Sequence, residues 1–228
     1  MDRREFTTGT GVLLSAGLWM SPAARAGLLS DGDASLGVKT ALERGAVAAV
    51  GLLGRSDGFL KNPKVKIPLP GFLNDAAKLL KLTGQQQRVD ELVLAMNRAA
   101  EAAVPEAKTL LVDAVKSMSV QDAVKIVQGG DTSVTRFFAG KTREPLGVKF
   151  LPIVTQATEK VSLADKYNAV AGKASGLGLV KKEDANIQTY VTRKALDGLY
   201  FMIGEEEKKI RRDPVGTGSD ILRKVFGG

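Results

Sequence analysis

Asn97, Arg98 and Glu101 bring an amide, a guanidinium and a carboxylate to one face of a predicted helix, since Glu101 follows the other two by four and three residues. Such a set has two chemical readings. At a pocket rim, Glu101 is the group that can serve as a general acid or base. Inside the fold, the three make a helix ion pair, or a polar clasp that fixes how two helices dock. The structural reading is favoured, because exposed pairs at this spacing are common and weak.

Other chemistry is restricted by what the chain lacks. It has 228 residues, no cysteine and no histidine. Disulfides, thiolate metal sites and cysteine nucleophiles are therefore excluded. So are serine–histidine catalysis and histidine-ligated zinc or copper. No cofactor motif is present, and no metal site stands out. Ser30-Asp31-Gly32-Asp33 opens like a calcium loop, but Leu42 falls where the twelfth-position acid belongs.

Three segments could meet an anion. The turn Gly129-Gly130-Asp131-Thr132-Ser133 offers backbone N–H groups and a helix start, with Arg136 shortly after. It has neither the lysine nor the spacing of a nucleotide loop, so a glycine stop with an Asp131 or Thr132 cap explains it as well. Lys61, Lys64 and Lys66 form a basic row with Asp57 as the nearby acid in sequence. Lysines on an exposed edge also serve to block strand pairing. The run Glu205 to Arg212 places Glu205 four before Lys209 and Glu207 four before Arg211, which predicts a self-neutralising exposed helix end.

The elements that must hold these groups are helical. Leu36, Ala41, Leu42, Val47, Val50 and Leu53 recur at three and four residues, predicting a first helix capped by Asp33 or Ser35 and stopped by Gly54. A short helix is predicted over 74–82 and a longer one over 86–104, with Val89, Leu92, Val93, Met96, Ala99, Ala100 and Ala103 inward. Pro105 fits the first turn of the next helix, ending near Met118. Ser119 with Asp122 predicts a capped start for another. Then come short helices to Gly140, over 148–159 and over 164–174. The longest is predicted over 183–212, with Ile187, Val191, Ala195, Leu196, Leu199, Met202 and Ile203 inward, and a last one over 220–226.

Residues 59–72 differ in kind. Val65, Ile67 and Leu69 alternate with Lys64, Lys66 and Pro68, and three prolines forbid a helix or a central strand. This reads as an extended proline-rich arm or a short edge strand. The fold class is a compact all-α, multi-helix domain carrying that arm.

Four strings, DGFLKNPKVKIPLP from Asp57, MNRAAEAAVP from Met96, MSVQDAVKIVQGG from Met118 and KALDGLYFMIGEEEKKIRRDP from Lys194, resemble bacterial domain-of-unknown-function family 4197 in order and spacing. The likeness runs from about Leu29 to Phe226. It implies an exported, all-helical domain, and it implies no reaction and no catalytic residues.

The first 26 residues read as an export signal. Arg3-Arg4 with Phe6 is similar to the twin-arginine motif, with Asp2 where Ser or Thr is usual. The apolar run from Gly9 to Met20 is twelve residues, too short for a membrane core that needs about 20. Ala24-Arg25-Ala26 then offers a small-residue site, predicting cleavage after Ala26 and a periplasmic mature chain, 27–228, without a transmembrane segment.

Net charge is +8, and aromatic content is 5%. The charge favours anionic partners such as a small molecule, lipid or envelope component, although charge spread over helix surfaces explains it too. Scarce aromatics argue against single-stranded nucleic acid. The leading expectation is an exported, non-enzymatic module binding an apolar-anionic small molecule or an envelope partner. The alternative is a carboxylate-dependent hydrolase or transferase acting on envelope glycans through Glu101 or Asp131, which requires a second, facing acid.

Overall fold

The structure, a computed structural model, describes residues 31–73, 77–78, 82–129, 133–159, 161–178, 180–181, 184 and 186–213. Helices α1 (Asp31–Leu53), α2 (Gln86–Ala103), α3 (Ala107–Lys116), α4 (Val120–Gln128), α5 (Ser133–Thr158), α6 (Ser162–Gly176) and α7 (Ile187–Arg212) follow in chain order. Short 3-10 turns lie at Gly71–Leu73 and Val104–Glu106, and no strand occurs among the described residues. The fold is all-α. The segment over 1–26, the cap at Asp131 or Thr132, most of 74–82 and the helix over 220–226 lie outside the described residues.

Helix α7 is the centre. Its stripe of Ile187, Val191, Ala195, Leu196, Leu199, Met202 and Ile203 is buried throughout. It packs against α5 on one side and α1 on another, and α2 lies against both α5 and α7. Gly45 lies at the contact of α1 with α7, where an added Cβ would be in ordinary contact, 3.8 Å from the backbone of Ile203 and of Glu207. Phe59, Phe138, Phe150, Leu42 and Leu92 fill the space between. Each such side chain stabilises the fold by roughly 1.5–3 kcal/mol through burial.

Local signals account for several helix ends. Ser119 accepts from Asp122 N at 3.1 Å, while the Asp122 carboxylate accepts from Ser119 N at 3.2 Å, closing the capping box that starts α4. Gly54 N donates to Val50 O at 2.8 Å as α1 ends. Helix α7 starts at Ile187, later than 183, because the Asn186 side chain accepts from Thr189 N and caps it there. Helix α1 buries Ala41, Leu42, Val50 and Leu53 as its spacing predicts, with two exceptions. Leu36 and Val47 are exposed, and Val38, Ala46 and Ala49 face the core instead.

Helix α5 departs furthest from the sequence expectation. Two short helices broken between Gly140 and Pro145 are predicted by sequence, but one helix runs through from Ser133 to Thr158. Pro145 and Pro152 lie on its outer side, where the helix is exposed. The carbonyls they leave without a helix partner, those of Lys141 and Val148, belong to exposed residues. Buried Val134, Phe138, Thr142, Leu146, Phe150, Val154 and Thr158 recur every four residues. Four residues turn a helix by about 400°, so this stripe drifts about 40° per step. Its successive stretches meet different neighbours, and α5 packs on α2, α3, α4 and α7.

Residues 54–65 fold back through turns, and 66–70 continue without helix or strand pairing. Phe59, Val65 and Ile67 are buried, whereas Lys64, Lys66 and Pro68 are exposed.

Candidate functional site

Asn97 and Glu101 sit one turn apart on α2 and are both buried, at 0% and 4% exposure. A buried carboxylate and amide must find partners, and both find the 57–67 segment. Glu101 Oε1 accepts from Phe59 N at 3.0 Å and Leu60 N at 3.1 Å. Its Oε2 accepts from Arg98 at 2.6 Å. Asn97 Oδ1 accepts from Ile67 N at 2.9 Å, and its Nδ2 donates to Ile67 O at 3.0 Å and Val93 O at 2.8 Å.

Arg98 extends the cluster outward, reaching Asp57 at 2.7 Å and Ser56 Oγ at 3.0 Å. Lys61 closes on the other Asp57 oxygen at 2.8 Å. Bonds from Lys61 and Arg98 hold the Asp57 carboxyl below its ordinary value of 3.8. Asp57 adopts a left-handed backbone, φ 66°, which Asp tolerates better than most residues. Phe59 then drops onto Gly198 of α7, where an added Cβ would lie 2.8 Å from its ring. The three residues thus form a clasp that grips a loop, where the sequence suggested a second helix. Both oxygens of Glu101 are engaged by it.

A second polar system was not legible. Along α7, Arg193 bridges Asp184 at 2.5 Å and Asp197 at 3.6 Å, and Asp197 also meets Arg143 of α5 at 2.8 Å. The chain's three tyrosines line this ladder. Tyr200 OH pairs with Thr142 Oγ1 at 2.9 Å, with Arg143 over its ring at 5.1 Å. Tyr190 OH donates to Pro68 O at 2.9 Å, and Tyr167 OH donates to Asp184 O at 2.9 Å. Burial pushes all three phenols up, Tyr190 to about 12. The four-residue spacing of Arg193 and Asp197 was the one signal available in sequence.

The remaining candidates are scattered. Lys64 pairs with Glu205 at 2.7 Å, an acid remote in sequence, so the basic row is neutralised at Lys61 and Lys64. The α7 end pairs Glu205 with Lys208 and Glu206 with Lys209, three apart rather than four. Glu207 turns inward and is 4% exposed, which corrects the expectation of a wholly exposed charge run. Arg136 is exposed on α5, and Asp131 lies outside the described residues.

Lys66 stays exposed on the rim of an open groove of about 470 Å³. The groove is walled by Pro68 and Leu69 on one side and by Val89, Asp90 and Val93 of α2 on the other, with Ala77 and Lys78 between. A comparable cleft of about 480 Å³ opens beside Arg55, Asp57 and Lys61. Among the described residues, no cluster of acids could hold a metal, and no helix is long and apolar enough to cross a membrane.

A family model described as a protein of unknown function (DUF4197) matches residues 28–227. No curated protein and no solved structure matches the chain significantly.

Proposed function

The chain belongs to the DUF4197 family of proteins of unknown function, a membership that assigns no activity, and from its geometry we propose that it is a non-enzymatic binding module of the cell envelope for an amphiphile with an anionic head. The observation that carries this reading is the groove at Lys66. Its walls are apolar at Leu69, Val89 and Val93, and its charged residues are two lysines, Lys66 and Lys78, against one acid, Asp90, whose carboxylate accepts from Gln86 at 2.6 Å. An apolar cleft of a few hundred Å³ with few polar groups is the usual form of a small-molecule site. Glu101, the acid best placed in sequence for catalysis, has both oxygens occupied by the fold itself.

Export by a twin-arginine signal belongs to the same proposal. The family match begins at residue 28, so cleavage after Ala26 leaves the whole matched span intact. Paired Arg3→Lys and Arg4→Lys substitutions are expected to retain the precursor in the cytoplasm. Sequencing of the periplasmic chain is expected to start at Gly27, and a retained Met1 would sink the export reading.

The binding test is native mass spectrometry of the mature protein purified from its own periplasm, before and after mild denaturation. A co-purifying mass of lipid size, released on unfolding and reduced by Lys66→Glu, is the expected result. A mass unaffected by Lys66→Glu would place the ligand elsewhere and remove this groove from the proposal.

A further inference from the structure

The wall of the groove that carries Lys66 is a short run of backbone, and its hydrogen bonds show how it is held. Residues 66–70 have neither helix nor strand pairing, so their polar groups depend on side chains and turns. Lys66 N donates to Asn62 O at 2.8 Å. The next residue, Ile67, has both its N–H and its C=O taken by the single amide of Asn97. The one after, Pro68, has its carbonyl held by Tyr190 OH.

These two anchors come from different helices. Asn97 is on α2, whose residues Val89 and Val93 form the facing wall, so one element fixes both sides of the groove. Asn97 Nδ2 also donates to Val93 O, tying the anchor to that wall directly. Tyr190 is on α7 and is 3% exposed. Ile67 is buried between them while Lys66 and Pro68 point outward, as alternation in an extended segment requires.

We infer that Asn97 and Tyr190 are positioning residues of the groove, fixing the backbone at the two residues that follow Lys66 so that the lysine is held at the rim of the apolar walls. Neither touches the ligand. The inference rests on the groove being the binding site proposed above. It assigns the preference for an anionic head to a pinned backbone, and not to a mobile surface lysine alone. A lysine on a free loop would keep its charge but spend most of its time elsewhere, and pre-organisation of a site is what limits that loss. The Tyr190 phenol is pushed up to about 12 by burial, so it remains a donor across physiological pH.

The test compares two lysolipids with one lauroyl tail, lysophosphatidylglycerol and lysophosphatidylcholine, both below their micellar concentrations. Affinities of the full mature chain for each are measured by titration calorimetry. The wild type is expected to prefer the anionic lipid about fivefold, the scale of one exposed ion pair. Lys66→Gln is expected to reduce that preference to twofold or less, with Lys78 as the lysine that remains in the groove. Tyr190→Phe and Asn97→Ser are expected to reduce it to twofold or less, while binding of the zwitterionic lipid changes little. Ser119→Ala, a destabilising change remote from the groove, is expected to leave the ratio unaltered. General loosening of the fold would lower both affinities together, so the ratio separates positioning from stability.

Tyr190→Phe keeps the fold packed even where Asn97→Ser proves too costly. If Lys66→Gln reduces the preference but Tyr190→Phe retains it, the groove stands and the positioning role falls. If the wild type binds neither lipid, or binds both equally, the binding reading fails and this inference fails with it.

Discussion

The clasp on α2 and the ladder along α7 are built from the same parts. Each joins arginine to carboxylates at short distance, Arg98 to Glu101 at 2.6 Å and Arg143 to Asp197 at 2.8 Å. They differ in what else the carboxylate holds. Glu101 is 5% exposed at its side chain and accepts from two backbone N–H groups of a loop about 40 residues away. Asp197 is 43% exposed and meets only side chains. A buried acid bonded to distant backbone organises tertiary structure, because no water replaces it when it is lost. An exposed acid bonded to arginine is screened and replaceable.

The largest expected effect therefore belongs to Glu101. Glu101→Ala leaves the buried Phe59 N–H and the Leu60 N–H without an acceptor, at a cost of about 3 kcal/mol in urea denaturation. Glu101→Gln keeps one acceptor oxygen and should cost about half as much. A loss below about 1 kcal/mol for the alanine variant would show that the loop does not depend on the clasp.

Gly198→Ala tests the same loop from the other side. The new Cβ meets the Phe59 ring at 2.8 Å, so overpacking should cost about 1–3 kcal/mol. Pairing it with Glu101→Gln in a double-mutant cycle should give a non-additive result, since both act on Phe59. Strict additivity would separate the two contacts.

Asp197→Asn, at the ladder, should lower stability by less than about 1 kcal/mol. A loss comparable to that of Glu101→Ala would erase the distinction drawn between the two regions.

The smallest effect is on acid stability. Asp57 and Glu205 have folded pKa values below their ordinary 3.8 and 4.5, through bonds from Lys61 and Arg98 and from Lys64. The stability they contribute is present above those ordinary values and is lost as pH falls through the lowered ones. Asp57→Asn should flatten the acid limb of a stability–pH curve, and an unchanged limb would count against the Asp57 pairs.

Helix positions were legible wherever a cap or a regular stripe marks them. The Ser119–Asp122 box and the α7 stripe are examples, because each is a local pattern with a local cause. Helix α5 runs through both residues because Gly140 costs a helix only chain entropy and Pro145 is tolerated best where the carbonyl it leaves belongs to an exposed residue, and sequence does not show which side of a helix faces water. The clasp was half legible. Three- and four-residue spacing puts Asn97, Arg98 and Glu101 together, but their partner is a backbone whose N–H groups carry no side-chain signature. Lys64 and Glu205 were unreadable as a pair, being 141 residues apart.

The tyrosine ladder gives the molecule an optical handle. Phenols in an opened chain ionise near pH 10, whereas burial keeps Tyr190 neutral to about 12 and holds Tyr167 and Tyr200 above the ordinary value as well. In a jump to about pH 11, phenolate absorbance from Tyr167 and Tyr190 should therefore rise at the rate at which their surroundings open, so that the chain's own chromophores time its local unfolding.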